Sequence, residues 1–476
     1  MGESFRMNLG TGQGTYTYKL QLPAGVRDQT PRLMLQYTHG TRAGLFGFGW
    51  SLPLRTIERR LDLGSGSVDE TFLDNELEIV QLRDGPYAAR QETVFARYTR
   101  PGAGWKIEER DGHVHMLGTT AAARVDDPDH PGRTFEWLSE RSEDTCGNAI
   151  DYAWQIDNGF AYPAEIRYAA YAARFVYEDR PDVRFHGRGG FLRKLRKRCA
   201  RVDLFLDPGP QEKRIRSWNF SYENSAANGF SLLTAIQMTS FDASGDATKT
   251  VVRPPVRFTY GTFDPSRHRV QYFQAASSNP PGLDDPDAAL VTMDNAPLPG
   301  VLTVIEGRQY YWRNNGRGGW DAPRALAPTP FGGSLSKSGV ALADMDGSGR
   351  ADLMLLSSDT PVRGYYENNG ESGWGQFVAY PRAATVNPEW VSPRLRLSDN
   401  DGDGRIDAIE AFDRGVILWR NLGDKGWADP VLITVPTGVD APEVDFTDPN
   451  VRLADMTGDG SQDIVRLTSG GVQYWP

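Results

Sequence analysis

The chain has 476 residues, enough for two to four domains with cores of their own. Its formal net charge is −10, with the acidic residues concentrated in the last third, which argues against a nucleic-acid partner for the chain as a whole. Two cysteines, Cys146 and Cys199, cannot build a disulfide framework; no apolar run approaches the ~18 residues of a membrane span; and the start, MGESFRMNLGTGQGTY, lacks the apolar stretch of a secretory signal.

With 51 Gly, 31 Pro, 19 Tyr, 21 Phe and 12 Trp, the composition suits many short strands joined by tight turns, and an all-β fold is expected. GTYTYKLQLP places Tyr16, Tyr18, Leu20 and Leu22 on one face, and PRLMLQYTHG does the same with Leu33, Leu35 and Tyr37. The two read as a half-buried antiparallel pair joined by PAGVRDQTP. In AGLFGFGWSLPLRTIERR, glycines separate Leu45, Phe46, Phe48 and Trp50, which suits a tight turn packed by aromatic rings. DETFLDNELEIVQL, WLSERSEDTCGNAIDYAW, ARFVYED, RCARVDLFLD, RSWNFSYEN, LLTAIQMTSFDASG and PPVRFTYGTFD follow as short strands at the intervals of an antiparallel sandwich or meander. Asp144 to Asn148 reads as a turn before an alternating strand. This N-terminal β domain is expected over residues 1–285, with a second architecture over 286–476.

The second architecture is a repeat. VALADMDGSGRADLMLL, LRLSDNDGDGRIDAIEA and VRLADMTGDGSQDIVRL align on Asp344, Asp399 and Asp455, and a degenerate copy, LVTMDNAPLPGVLTVIE, is placed with Asp294 at the same position. Each is followed by an aromatic segment and an Asn-Gly turn, as in QYYWRNNGRGGW and GYYENNGESGWGQF; the last, VQYWP, breaks off. DNDGDGRIDAIE, Asp399 to Glu410, matches the spacing of an EF-hand calcium loop, but no amphipathic helix flanks it. Leu355 and Arg466 stand where Glu410 does in the sister copies, so Glu410 reads as coincidence. What recurs is Asp at positions 1 and 9, oxygen-bearing residues at 3 and 5, and glycines that let the backbone curl. That pattern would converge oxygens on one hard cation. The candidate Ca²⁺ ligands are Asp344, Asp346, Ser348 and Asp352; Asp399, Asp401, Asp403 and Asp407; and Asp455, Thr457, Asp459 and Asp463. The competing reading is that these Asp residues only make Asx turns between strands. The copy at Asp294 is expected to be metal-free.

These units resemble the FG-GAP/VCBS blades of integrin-type β-propellers. Three full copies and one cut after Trp475 do not close a ring, so the reading favours a piece of a longer protein. The N-terminal segments GTGQGTYTYKLQLPAG, PRLMLQY, GLFGFGWSLPLRTIERR and DETFL…ELEIVQL, with GESF at Gly2 and RPPVRFTYGTF at the exit, resemble the N-terminal region of the SpvB/TcaC family of toxin-complex B components. In that family a VCBS-type propeller follows in the same order. The resemblance implies a non-enzymatic module that helps encapsulate or deliver a toxic polypeptide and docks a channel-forming A-type partner through its propeller, beside a cargo-carrying C-type partner. It also implies a protein that is secreted without a signal peptide or held in the cytoplasm before release. The alternatives are a targeting module for an ADP-ribosyltransferase domain outside this chain and a calcium-braced adhesin.

Other chemistry reads weakly. His113 and His115 suit a metal pair only if a third ligand joins them, and a solvent-facing strand is expected. Glu76 and Glu78 form an E-x-E pair without the Ser-Thr-Ser strand of ADP-ribosyltransferases. GTGQGT at Gly10 precedes a strand and not a helix, so it is no phosphate loop. The basic run FLRKLRKRCARVDLF reads as a protected strand edge, and Cys199 among its arginines could have a lowered pKa.

Overall fold

The alternation of the first two segments becomes a hairpin: Gly14–Lys19 pairs antiparallel with Met34–Thr38, Thr15 opposite Thr38 and Lys19 opposite Met34. The computed structural model describes the chain outside residues 1–4, 8–12, 41, 61–70, 76, 84, 92–94, 131, 211, 243–248, 263, 268, 271, 295–297, 331, 338, 357–362, 381–389, 391, 401–402, 413–414, 435–443 and 459. Among the described residues the elements are β-strands and single-turn 3-10 segments. Among these described residues no helix is long and apolar enough to cross a membrane, which says nothing of strands.

The hairpin's apolar face, with Tyr18, Leu20, Leu33 and Leu35, lies on a broad antiparallel meander whose contribution to the shared core includes Ile166, Val202, Trp218 and Ile236. The meander runs through Ala149–Asp157, Phe160–Tyr168, Tyr171–His186, Arg193–Leu206, Lys213–Asn224 and Ser231–Ser240, each strand paired with the next. The FGFGW turn pins the two layers together. Gly47 has φ +93°, and a Cβ there would lie 2.6 Å from the Ser231 carbonyl oxygen. That close approach lets Phe46 bury completely against Phe220, ring centroids 5.0 Å apart. Trp50 packs edge-on against Phe258 at 4.8 Å and donates its indole N–H to the Tyr260 hydroxyl at 2.9 Å.

Between hairpin and meander the chain closes a barrel that the sequence reading did not foresee. Thr56–Arg60, Thr71–Asp74, Leu77–Gln81, Tyr87–Ala89, Arg97–Thr99, Trp105–Glu108, Val114–Leu117 and Thr134–Glu143 pair in succession, and the last returns to the first with Trp137 opposite Ile57. Closure removes the edges that eight such short strands would otherwise expose. Ile57, Phe72, Ile79, Tyr98, Trp105, Ile107, Leu117 and Trp137 fill the interior. The guanidinium of Arg100 lies over Phe72, Trp105 and Trp137 at 5.2, 4.9 and 5.1 Å. Thr134–Glu143 also pairs with Ala149–Asp157, so one strand belongs to both barrel and meander. The turn before Ala149–Asp157 is as expected: the Asp144 carboxylate accepts the amides of Cys146 and Asn148 at 2.8 and 2.9 Å.

From Ala288 the chain repeats an antiparallel meander. The units are Ala288–Val291, Gly300–Ile305, Arg308–Trp312 and Arg324–Ala325; then Val340–Ala343, Asp352–Leu355, Gly364–Asn368 and Trp374–Ala379; then Leu395–Ser398, Asp407–Phe412, Gly415–Trp419 and Val431–Thr434. A fourth unit has three strands, Val451–Ala454, Asp463–Thr468 and Gly471–Trp475. Each apolar cluster here is shared by two consecutive units: Met293, Leu302 and Tyr311 pack with Leu353 and Trp374, and Met345, Met354 and Tyr365 pack with Ala408, Trp419 and Trp427. Being covered on both faces, Asp352–Leu355 is buried throughout rather than alternating. The register corrects the placement of the first copy. Val291 lies opposite Gly300 as Ala343 lies opposite Asp352, so Thr292 and not Asp294 occupies the first turn position.

Candidate metal-binding turns and unit junctions

Each acidic turn joins the first two strands of its unit, and those strands pair directly: Ser398 lies opposite Asp407 and Leu395 opposite Glu410. This is a hairpin and not a helix-loop-helix, so Glu410 lies in the strand ladder.

The first-position carboxylates organise the turns. Asp344 accepts the amides of Gly347, Ser348 and Gly349 at 2.8, 3.1 and 2.7 Å; Asp399 accepts those of Asp403 and Gly404; Asp455 accepts those of Gly458 and Gly460. These are Asx-turn bonds. In the second unit, Asp344, Asp346 and Asp352 bring one oxygen each within 4.8 Å of one another. Burial, then the charges of Asp346 and Asp344, push the Asp352 carboxyl up to about 7, and burial with Asp346 raises Asp344 as well. Three crowded carboxylates whose mutual repulsion favours protons make a donor set that fits a hard divalent cation. Ser348 contributes its amide to Asp346 at 2.8 Å.

The central turn differs. The Asp403 carboxylate accepts the Arg405 amide at 2.8 Å and ion-pairs with the Arg405 guanidinium. In the fourth unit, the Thr457 hydroxyl reaches Asp455 at 3.4 Å. Asp401 and Asp459 lie outside the described residues. In the degenerate first copy, Asp294 pairs with Arg313 at 2.9 Å.

The ninth-position carboxylates do something the spacing alone did not reveal. Asp352, Asp407 and Asp463 are all buried. Asp352 accepts the Met345 amide of its own turn at 2.9 Å and the Asn368 amide of the next hairpin at 2.8 Å; Asp407 does the same with Asn400 at 3.1 Å and Asn421 at 2.9 Å. Asp463 takes the Met456 and Thr457 amides. The asparagine so held then reaches into the preceding unit. Asn421 donates its side-chain amide to the Met345 and Ile406 carbonyls at 3.0 and 3.1 Å, and Asn368 donates to the Ala351 and Thr292 carbonyls at 3.0 and 3.5 Å. The signal was present in the sequence as Asn-x5-Trp: Asn314 faces Trp320, Asn368 faces Trp374 and Asn421 faces Trp427.

The remaining candidates resolve differently. His115 does not face solvent: it is mostly buried, its Nε2 3.3 Å from Glu109, and Arg55 ion-pairs with the same Glu109 oxygen at 2.5 Å. Burial, then Arg55, lower the His115 pKa. His113 turns instead to Asp111 at 2.9 Å. Glu78 pairs with Arg90 at 2.8 Å, while Glu76 and the GTGQGT glycines Gly10 and Gly12 lie outside the described residues. Cys199 is fully buried, and burial pushes its thiol well above the usual value, the opposite of the expected activation. The basic run lies in Arg193–Leu206, where Arg198 pairs with Glu178 at 2.7 Å and Arg193 is buried.

An all-β chain with a closed barrel, a broad meander and face-packed repeat units is the architecture seen in toxin-complex components. One chain of the Photorhabdus luminescens Tc holotoxin pore matches all of this chain with a TM-score of 0.78 at 22% identity, over 26% of its own length. A TcdB2-TccC3 crystal structure matches 99% of this chain with a TM-score of 0.54 at 19% identity, over 32% of its own length. Residues 10–93 and 85–184 match the SpvB family model, described as Salmonella virulence plasmid 65kDa B protein. The mono(ADP-ribosyl)transferases SpvB of Salmonella typhimurium and Salmonella dublin are each 29% identical over 180 residues, covering 31% of this chain. The match spans 30% of the length of these relatives.

Proposed function

We propose that this chain is a non-enzymatic structural and interaction module of a secreted toxin complex, of the B-component type. The observation that carries the reading is the match of the whole chain, barrel, meander and repeats in one order, to a single chain of a Tc holotoxin pore. In this reading the repeat units are blades of a β-propeller that docks a channel-forming A-type partner. The N-terminal domain helps enclose or deliver the polypeptide carried by a C-type partner. Calcium at the Asp344, Asp346 and Asp352 turn braces one blade hairpin, which the convergence of those carboxylates supports. The test is reconstitution: the purified chain is mixed with A-type and C-type components and followed by size-exclusion chromatography and electron microscopy. Co-elution as a defined particle is expected. Failure of the folded chain to associate with either component, or NAD hydrolysis by the chain itself, would overturn the reading.

The second reading is a delivery module for an ADP-ribosyltransferase. It is favoured by the sequence relatives, mono(ADP-ribosyl)transferases whose match to this chain covers less than a third of their length.

A further inference from the structure

A cavity of about 280 Å³ lies between the outer wall of the barrel and the meander, with Glu58, Glu136, Trp154, Phe160, His186 and Arg193 in its lining. Strand alternation explains why two carboxylates meet there. Ile57 and Trp137 point into the barrel, so their neighbours Glu58 and Glu136 point out of it. The register sets Glu58 directly opposite Glu136, a placement in which like charges repel. Arg193 lies 3.7 Å from Glu136 and stacks over Phe135 at 4.3 Å. Among the described residues, the Glu58 carboxylate has no ion pair or hydrogen bond of its own. Burial, then Glu58, push the Glu136 carboxyl up to about 7.

The walls mix aromatic and aliphatic side chains with polar ones, Arg42 and Thr56 among them. Trp154 is fixed by donating its indole N–H to the Ser139 carbonyl at 2.7 Å, and the Phe160 ring sits 5.6 Å from that of His186. Leu52, Leu54 and Pro163 complete the lining of this half-open pocket. A metal ion is a poor fit, because among the described residues donor atoms within 4.8 Å of one another occur at Asp344, Asp346 and Asp352 and not at Glu58, Glu136 and His186. Paired carboxylates beside aromatic faces suit a cation with an apolar body. We propose that this cavity binds a small primary amine, its ammonium between Glu58 and Glu136 and its alkyl chain against Trp154 and Phe160.

The probe is pentylamine, titrated into the full chain by calorimetry and by Trp fluorescence, with 1-pentanol and Ca²⁺ run in parallel. Saturable pentylamine binding is expected, with none for pentanol. Glu58→Gln and Glu136→Gln should each weaken it about tenfold or more, as loss of one partner of an enclosed charge pair does. Both variants remove a partly buried carboxylate, and circular dichroism with a cooperative melt verifies their fold. Trp154→Leu leaves both carboxylates in place and should weaken binding independently. Absence of saturable binding at millimolar pentylamine, binding untouched by both Gln variants, or displacement of pentylamine by Ca²⁺ in a Glu58-dependent way would each overturn the proposal.

Discussion

Asn421 donates to two carbonyls, one in its own unit and one in the unit before, from a site with almost no solvent access. Truncating it removes the donor from a buried carbonyl, that of Met345, and from a partly buried one, that of Ile406. Asn421→Ala should therefore cost about 1–3 kcal/mol. Asn421→Asp should not rescue it, since a carboxylate cannot donate to a carbonyl. Chemical denaturation of the three proteins checks both expectations. Glu136 acts in the opposite sense. Its folded-state value, about 7, lies above the ordinary glutamate value of 4.5. The folded protein thus keeps a proton that the unfolded chain has lost, and this group's contribution to stability falls as pH rises from about 4.5 to about 7. Glu136→Gln should flatten that slope and raise stability at pH 8 by on the order of 1–2 kcal/mol, less than the full linkage value because Arg193 offsets part of the charge. Melts at pH 5.5 and pH 8 would reveal the sign, and a steeper slope in the variant would contradict it.

Strands and turns were the parts most legible in the sequence. Tyr16 to Leu22 and Leu33 to Tyr37 announced a hairpin because a two-residue period with one apolar face leaves a single register. The FGFGW turn was legible because only closely approaching backbone explains glycines spaced between large rings. Gly47→Ala tests that argument: its φ of +93° and the Ser231 oxygen 2.6 Å away predict a loss of about 2 kcal/mol or more. The barrel was not legible. Its closure rests on Trp137 meeting Ile57, a pairing between distant segments with no local signature. The acidic turns were legible as turns, yet anchoring the first copy on Asp294 put it two residues out of register, because the buried Met293, equivalent to Met345, is the position that packing holds fixed. For the turns themselves, if Asp344, Asp346 and Asp352 hold calcium, saturating it at a hundred times Kd adds about 2.7 kcal/mol and should raise the melting temperature of the units by about 5–10 °C over chelator. Asp344→Ala with Asp346→Ala should abolish the difference. Equal melting temperatures with and without chelator in the unmutated chain would exclude the ion.

At the scale of the whole molecule, the repeat units do not stand apart from the N-terminal domain. A Cβ on Gly187 would lie 2.9 Å from Pro476, and one on Gly460 would lie 3.2 Å from the Arg42 guanidinium, so the fourth unit rests on the meander and on the segment leading into the FGFGW turn. Replacing Gly187 by a bulkier residue should disturb that seat. Limited proteolysis is expected to release the repeat region more readily from Gly187→Val than from the parent chain. The bond from Asn421 to Met345, with its counterpart from Asn368 to Thr292, has a consequence for how such chains change over evolutionary time. The donors correspond and the acceptors lie one residue apart in the same turn of the preceding unit, each asparagine also meeting the equivalent methionine sulfur, so a stretch of DNA encoding one unit carries both halves of the connection. Duplication or deletion of a whole unit then rebuilds the same connection at the new neighbour, and the array can grow or shrink in whole steps while each surviving joint keeps its chemistry.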